Sequence, residues 1–431
     1  MSKPCRFKNL LKPFTIYTGA NFINEAITFF LLPVLTRFLT PYSFGILATY
    51  MSVMRISDTF VLMNTGSAVT RYYADKAQTD FDFPKFVSNA IFVNSGLFLI
   101  MAISLFFFRG VISEKLFISY PWLLSLPFIG LCVAVHSISF RFFVCEQRPL
   151  PYAILRISNT LIEMLLSIYF VVAVGLNWQG RAFAILGTKI LFFGLGLFIL
   201  FRYKALRLSF DHLYIKRILS YGVPVTLHSL DIRMAATVDR LFLNRLVGLA
   251  ATGVYGVAYS ISAVIDFILG SFNFAWAPFF YEKLNNATQA IKIRIVRFSY
   301  LFFIGVFLLA IGLIFVSPYF LKYFVGASFR GAAKFIFWIA LGYAFHGIYT
   351  MSLNYILYQK KTFVLTIIGI VTIIFNIVFN YTLISLNGAI GAAQATFLTF
   401  FIRALLVWCV AQKVYPMPWF AFSRLFKRGE V

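Results

Sequence analysis

LTRFLTPYSFGILATY, residues 35–50, returns in looser form as LNRLVGLAATGVYGVA, residues 243–258. Leu35 falls on Leu243, Arg37 on Arg245 and Gly45 on Gly253, so the step from arginine to glycine is the same in both copies. Each copy reads as the end of one helix at a basic residue and the opening of the next at a glycine. A second echo lies further on, where GRAFAI (180–185) and GAAQAT (391–396) each open the last apolar run of a half. The chain therefore reads as two related halves, with six helices in each. An even number of helices per half keeps both copies in the same orientation, which is a parallel repeat about an axis along the membrane normal.

Composition says where those helices reside. The chain has 431 residues, 61% of them hydrophobic and 12% charged, with 54 Phe. Its mean hydropathy is +0.86. A soluble domain averages roughly 45–50% apolar and about 25% charged residues, and its surface needs polar cover that this chain cannot supply. A soluble enzyme, a disordered chain and a disulfide-rich scaffold are thereby excluded. The four cysteines, Cys5, Cys132, Cys145 and Cys409, have no CxxC spacing, and neither a disulfide frame nor a zinc site is expected. The basic N-terminus MSKPCRFKNLLKPF leads into a run holding Asn21, Asn24 and Glu25 with no small-residue cleavage site, so it reads as a first spanning helix and not as a removed signal.

Segments of about 20 mostly apolar residues are long enough to span a bilayer. Twelve fit, near 14–36, 44–67, 86–108, 121–144, 152–174, 182–201, 219–244, 253–280, 298–320, 333–357, 363–384 and 391–411. The organisation predicted is an N-terminal six-helix bundle (1–201), a basic cytoplasmic linker (202–218), a C-terminal six-helix bundle (219–412) and a basic cytoplasmic tail (413–431). Net charge is +24, from 38 Lys and Arg against 14 Asp and Glu. With the N-terminus in the cytoplasm, 24 basic residues fall in inside segments, eight fall outside (Arg181 among them), and six lie within spans. That bias orients the helices, places both termini inside and removes the need to invoke nucleic acid. One missed helix would flip every later loop and spoil the asymmetry.

Ionisable groups inside a membrane are expensive and normally face a cavity or a partner. Glu25 lies mid-span in helix 1. Arg55 and Asp58 in helix 2 are three apart and can neutralise each other. Helix 7, VPVTLHSLDIRMAATVDRLFLNR (223–245), is the richest. At 100° per residue His228, Asp231 and Asp239 share one stripe, while Arg233 and Arg240 share another. Five ionisable residues on one span weigh against a purely structural reading, although His228 alone reads as a packing residue. Asp266 lies in helix 8. Arg141, Glu163 and Arg403 carry less weight because they can sit near an interface. Asn354, Asn376 and Asn380 read as interhelical hydrogen-bonding groups, the last two on one face. Arginines lining a wet cavity suit an anionic diphosphate through bidentate contacts. Carboxylates there can take sugar hydroxyls, a coupling cation or a proton. The chain has no Gly-Lys dipeptide, hence no phosphate-binding P-loop, and neither HExxH nor GxSxG.

LLPVLTRFLTPYSFGILATY (31–50) resembles the first helix pair of Wzx-type polysaccharide-biosynthesis flippases, of the multidrug/oligosaccharidyl-lipid/polysaccharide exporter superfamily. VDRLFLNRLVGLAATGVYGVAYSI (238–261) resembles their helix 7–8 junction, and TRYYAD (70–75) and NGAIGAAQAT (387–396) fit as well. The resemblance implies a MATE-like fold of two six-helix bundles. It implies a flippase, not an enzyme, that carries an undecaprenyl-diphosphate-linked oligosaccharide from the cytoplasmic to the outer leaflet of a bacterial inner membrane by alternating access. The product would feed O-antigen, capsule or exopolysaccharide synthesis. By that analogy Arg240, Arg233, Arg55, Glu25 and Asp58 would bind substrate in a central cavity, and Asp239, Asp231 and Asp266 would be coupling or cavity carboxylates. No catalytic residue, metal or cofactor is expected. Partners would be the lipid-linked glycan, membrane lipids, H+ or Na+ as coupling ion, and a polysaccharide polymerase. Three rivals stand beside this reading: a multidrug cation exporter, which the arginine stripe disfavours; a peptidoglycan-precursor flippase, which usually has fourteen spans; and a membrane-embedded polymerase or ligase, which would need a larger outside loop.

Overall fold

A computed structural model describes residues 7–73, 75, 81–285 and 288–420; within these, the side chains of 7–14, 228, 229, 231–233, 235 and 236 lie outside the description. The described residues form helices and short connections only. In chain order they are α1 (Phe7–Phe38), α2 (Pro41–Leu62), α3 (Thr65–Tyr73), α4 (Phe83–Phe107), α5 (Arg109–Leu116), α6 (Tyr120–Cys145) and α7 (Pro149–Ile168), which continues through a wider turn at Tyr169–Ala173. Then come α8 (Asn177–Arg202), α9 (His212–Leu246), α10 (Leu249–Asn285), α11 (Gln289–Phe324), a tight turn at Ala327–Ala332, α12 (Ala333–Tyr358), α13 (Thr362–Asn387) and α14 (Ala389–Val414).

Local chemistry sets the ends. Thr40, Asp82 and Thr288 each place a side-chain oxygen on a backbone N–H of the first turn that follows. Prolines open α2, α4, α6 and α7, where a missing N–H costs nothing. The shift that lays Leu35 on Leu243 also lays the end of α1 on the end of α9, and the start of α2 on the start of α10.

Among the described residues ten helices are long and apolar enough to cross a membrane, and the bent α2–α3 pair makes an eleventh. The remaining long helix is α9, whose middle stretch 219–244 holds Asp231, Arg233, Asp239 and Arg240. Counting it gives the twelve expected, with several helices a turn or two longer than hydropathy indicated. Large side chains such as Phe107, Phe201, Phe363 and Leu386 are 75–78% exposed. On a soluble surface that would be a liability, whereas in lipid it is the ordinary outer face. The chain is a multi-pass membrane protein.

Two compact units are formed by residues 1–237 and 238–431. In the first, α6 packs on α2, α4 and α8, and α1 packs on α7. Its core gathers Phe86, Ile138, Phe142 and Leu200 with Tyr214 and Ile218 of α9. The stretch between α8 and α9 is tied to the start of α4: Asn89 donates to the Ser209 carbonyl at 2.8 Å and accepts from Asp211 N at 2.9 Å, while Arg207 pairs with Asp82 at 3.0 Å. In the second unit α12 packs on α10, α11 and α14, and α13 packs on α14. Trp276, Phe280, Tyr355 and Val407 build its core.

The echo of GRAFAI in GAAQAT has a structural cause. A Cβ on Gly180 would lie 2.9 Å from the Phe170 carbonyl carbon, and one on Gly391 would lie 2.1 Å from the Leu383 oxygen. Both α8 and α14 touch the backbone of the helix before them, and only glycine leaves room.

The α2–α3 pair bends by 41°. Met63 and Asn64 both take left-handed backbone there, with φ of 43° and 49°. The freed carbonyls of Val61 and Leu62 accept from Asn94 Nδ2 of α4 at 2.6 and 3.0 Å. Asn64 Nδ2 donates to Thr226 Oγ1 of α9 at 3.1 Å. Backbone opened inside a membrane must be satisfied by protein, and here Asn94 does it.

Candidate functional site

Asp239 of α9 is 1% exposed and sits in a cage drawn from three other helices. Its Oδ2 accepts from Tyr255 of α10 at 2.7 Å and from Thr396 of α14 at 2.8 Å. Its Oδ1 accepts from Asn380 and Asn376 of α13 at 2.7 and 3.1 Å. Among the described residues no cation lies within ion-pair distance of it. A carboxylate taken out of water needs compensation, and this one receives it from four neutral donors.

Two details make the cage adjustable. Thr396 has one hydrogen and three acceptors in reach, Asp239 Oδ2, the Ala392 carbonyl at 3.0 Å and the Tyr255 hydroxyl at 2.9 Å. The Oδ1 atoms of Asn376 and Asn380 are buried without a hydrogen-bond partner among the described residues. Half a turn of either amide exchanges nitrogen for oxygen and converts a donor toward Asp239 into an oxygen ligand. The cage is therefore chemically suited to a proton or a small monovalent cation bound between oxygens.

Arg240, the next residue, is 4% exposed and lies over the Tyr259 ring, 5.2 Å from its centroid. Asp239 and Arg240 thus point to different surroundings from adjacent positions, as a 100° step requires. Asp266 of α10 does not enter the cage. Its side chain is 52% exposed and meets His346 Nε2 of α12 at 3.4 Å. The His346 ring stacks on Tyr349 at 5.0 Å and 23°. Tyr349 in turn accepts from Arg403 Nη2 of α14 at 3.2 Å and lies under its guanidinium at 4.4 Å. An exposed carboxylate is so linked through two rings to an arginine that is 6% exposed. Asn354 joins helices, donating to Asn273 Oδ1 at 2.7 Å.

Of the first-unit candidates, three lie on α1 and α2. Glu25 is exposed on α1, beside Asn21 and Asn24, which contact Tyr152 and Thr160 of α7. Arg55 is exposed on α2 and Asp58 is half-buried one turn on. The side chains of His228, Asp231 and Arg233 lie outside the described residues.

The first unit also holds a cluster that the sequence reading did not assemble. Glu163 of α7 pairs with Arg181 at 2.7 Å and Lys189 at 2.8 Å, both from α8. Ser167 accepts from Arg181 at 2.6 Å, and Asn159 accepts from Lys189 at 3.2 Å. Arg181 was expected in an outside loop; instead it is the fifth residue of α8 and is 4% exposed. The available signal was the spacing of Asn159, Glu163 and Ser167, which puts three polar groups on one helix face.

The family model described as polysaccharide biosynthesis protein matches residues 10–283. A relative from Haemophilus influenzae, described as an uncharacterized membrane protein, is 23% identical over 361 residues, covering 82% of this chain and 85% of the relative. Among solved structures, an inward-facing multidrug resistance MATE family transporter of the MOP superfamily superposes with a TM-score of 0.77 at 12% identity, covering 94% of this chain and 96% of that one. The lipid II flippase MurJ, in an inward closed conformation, superposes with a TM-score of 0.65 at 17% identity, covering 92% and 87%. At those identities the superpositions show a common fold.

Proposed function

The chain belongs to the polysaccharide biosynthesis protein family, and from that premise we propose that it is a flippase for a polyprenyl-diphosphate-linked oligosaccharide, moving the unit from the cytoplasmic to the outer leaflet of a bacterial inner membrane by alternating access. Both termini lie on the cytoplasmic side in this reading, and the exported units supply a polymerase that builds a surface polysaccharide. It is a transporter and not an enzyme. The observation that carries the reading is the Asp239 cage: a carboxylate buried within a membrane helix, held by neutral donors from α10, α13 and α14. Such a group is retained at a cost, and that cost is expected where an ion or substrate moves.

In this proposal Asp239 binds the coupling cation, Na+ or H+, and Asp231 and Asp266 are further cavity carboxylates. Arg240, Arg233 and Arg55 hold the diphosphate, while Glu25 and Asp58 take sugar hydroxyls. Guanidinium pairs phosphate oxygens through two parallel N–H bonds, and carboxylates accept from vicinal hydroxyls, so one wet site can hold both parts of the substrate. Replacing Arg233 by lysine keeps the charge and removes the fork, which separates charge from geometry.

Deletion in the native host tests the reading. Lipid-linked glycans are extracted and their leaflet is assigned with an impermeant glycan-modifying reagent. Complete units stalled on the inner leaflet, and released when the chain is restored, are the expected result. Units that reach the outer leaflet normally but fail to polymerise would transfer the role to an enzyme. Unaltered glycans with altered drug tolerance would favour multidrug export.

A further inference from the structure

The cluster of Arg148, Arg202 and Lys204 lies at the end of the first unit where α7 begins and α8 ends. Arg148 precedes α7, donates from Nη1 to the Tyr203 hydroxyl at 3.3 Å, and lies over the Tyr203 ring at 5.3 Å. Arg202 is the last residue of α8 and Lys204 follows two positions on; all three cations are exposed. The carboxylate nearest in the chain, Glu146, accepts from Tyr73 at 2.6 Å. The end is therefore strongly cationic.

Directly below it runs an apolar groove of about 630 Å³ between α7 and α8, walled by Ile154, Ile162, Leu191, Leu195 and Phe198. Ser158 and Gly194 also line it. Ile154, Leu191 and Phe198 are 53–63% exposed, so the groove opens outward. No atom lies within 4 Å of where a Cβ on Gly194 would stand, so a larger side chain there has open space to enter. Phe198 and Arg202 are four residues apart, one helical turn, and share a face. The groove thus points its long axis at the cations.

A hydrocarbon channel opening on a membrane-spanning surface, with three positive charges one to two turns from its mouth, suits a lipid with an acyl chain and a negatively charged headgroup. We propose that this face is a binding site for an anionic phospholipid, with an acyl chain in the α7–α8 groove and the phosphate on Arg148, Arg202 and Lys204. Bulk phospholipid is what an outward-opening groove meets continuously, and the cations select the anionic species from it. Basic clusters at the cytoplasmic end of helices attract such headgroups. The charge bias of the whole chain assigns this end to the cytoplasm.

The full chain is purified into mixed micelles of phosphatidylglycerol and phosphatidylcholine, and retained lipid is read by native mass spectrometry. The wild type retains phosphatidylglycerol in preference. The triple variant Arg148→Gln, Arg202→Gln, Lys204→Gln loses that preference by about fivefold or more, since each cation near the surface contributes separately. Gly194→Leu fills the groove without touching a charge and lowers retention of both lipids, while thermal melting of each variant checks that it is folded. Equal retention of the two lipids by the wild type overturns the proposal. So does a preference that survives the triple variant, or retention unchanged by Gly194→Leu in folded protein. Displacement of phosphatidylglycerol by an equimolar amount of undecaprenyl phosphate also overturns it, and would reassign the groove to the glycan carrier. None of these outcomes depends on whether the chain flips glycans.

Discussion

At the scale of the residue, Asp239 concentrates the argument. Replacing it by asparagine keeps the volume and removes the charge. The cage was built of donors, so an amide oxygen can still accept from Tyr255 or Asn380, and the variant is expected to insert and accumulate. Glycan export should fall by at least tenfold if the charge carries the coupling ion. Export at the wild-type rate, at equal abundance, would remove Asp239 from the mechanism. Tyr255→Phe deletes one donor in four from a charged acceptor, a loss of about 1.5–3 kcal/mol. Its effect should therefore be graded, with weaker ion dependence of export and not its abolition. The wild type itself separates Na+ from H+: only sodium coupling makes its export depend on external sodium at fixed pH. Arg240 gives an independent check. Arg240→Ala leaves the cage intact, so loss of export there with ion dependence preserved in the residual activity would mark a substrate contact.

At the scale of the element, the repeated glycines allow a ranked prediction. A methyl on Gly391 meets the Leu383 carbonyl oxygen at 2.1 Å, whereas one on Gly180 meets the Phe170 carbonyl carbon at 2.9 Å. Overpacking costs about 1–3 kcal/mol, and the closer contact leaves less room to relax. Gly391→Ala should lower thermal stability and abundance more than Gly180→Ala, and the reverse order would refute the helix contacts described here. Glu163→Gln strands Arg181 and Lys189, a buried rupture worth about 3–5 kcal/mol. Glu163→Asp should recover part of that loss in a melting measurement. These elements also mark what sequence could and could not reveal. Helix spans, the repeat and the rich helix α9 were legible because period and composition are local properties. Asn376 and Asn380 were legible as a face because they are four apart. Their meeting with Asp239 was not, since Thr396 lies 157 residues away and no period encodes which helices touch. Arg181 was misplaced for the same reason. A basic residue at the edge of an apolar run resembles a loop anchor until its partner on α7 is known.

At the scale of the whole molecule, everything after α9 depends on whether α9 crosses the membrane. A charged side chain at mid-bilayer costs about 2.5–3.5 kcal/mol on an insertion scale, and the middle stretch 219–244 of α9 carries four, Asp231, Arg233, Asp239 and Arg240, besides His228. The donors that satisfy Asp239 come from α10, α13 and α14, so part of the compensation arrives only after later helices are made. If α9 spans, the basic residues near α10–α11 and at Lys360 and Lys361 share the side of Lys204, and the asymmetry of charge is kept. If it does not, those residues move to the opposite side while Lys115 and Lys204 stay where they were. Single cysteines placed at Lys115, Lys204, Arg330 and Lys360, all exposed, decide this once the four natural cysteines are replaced. An impermeant maleimide added to intact cells should label positions 115 and 330 and spare 204 and 360 until the membrane is opened. Labelling of 360 with protection of 330 would mean that α9 does not cross, and the parallel repeat would fall with it, because a half with five spans cannot keep the orientation of a half with six.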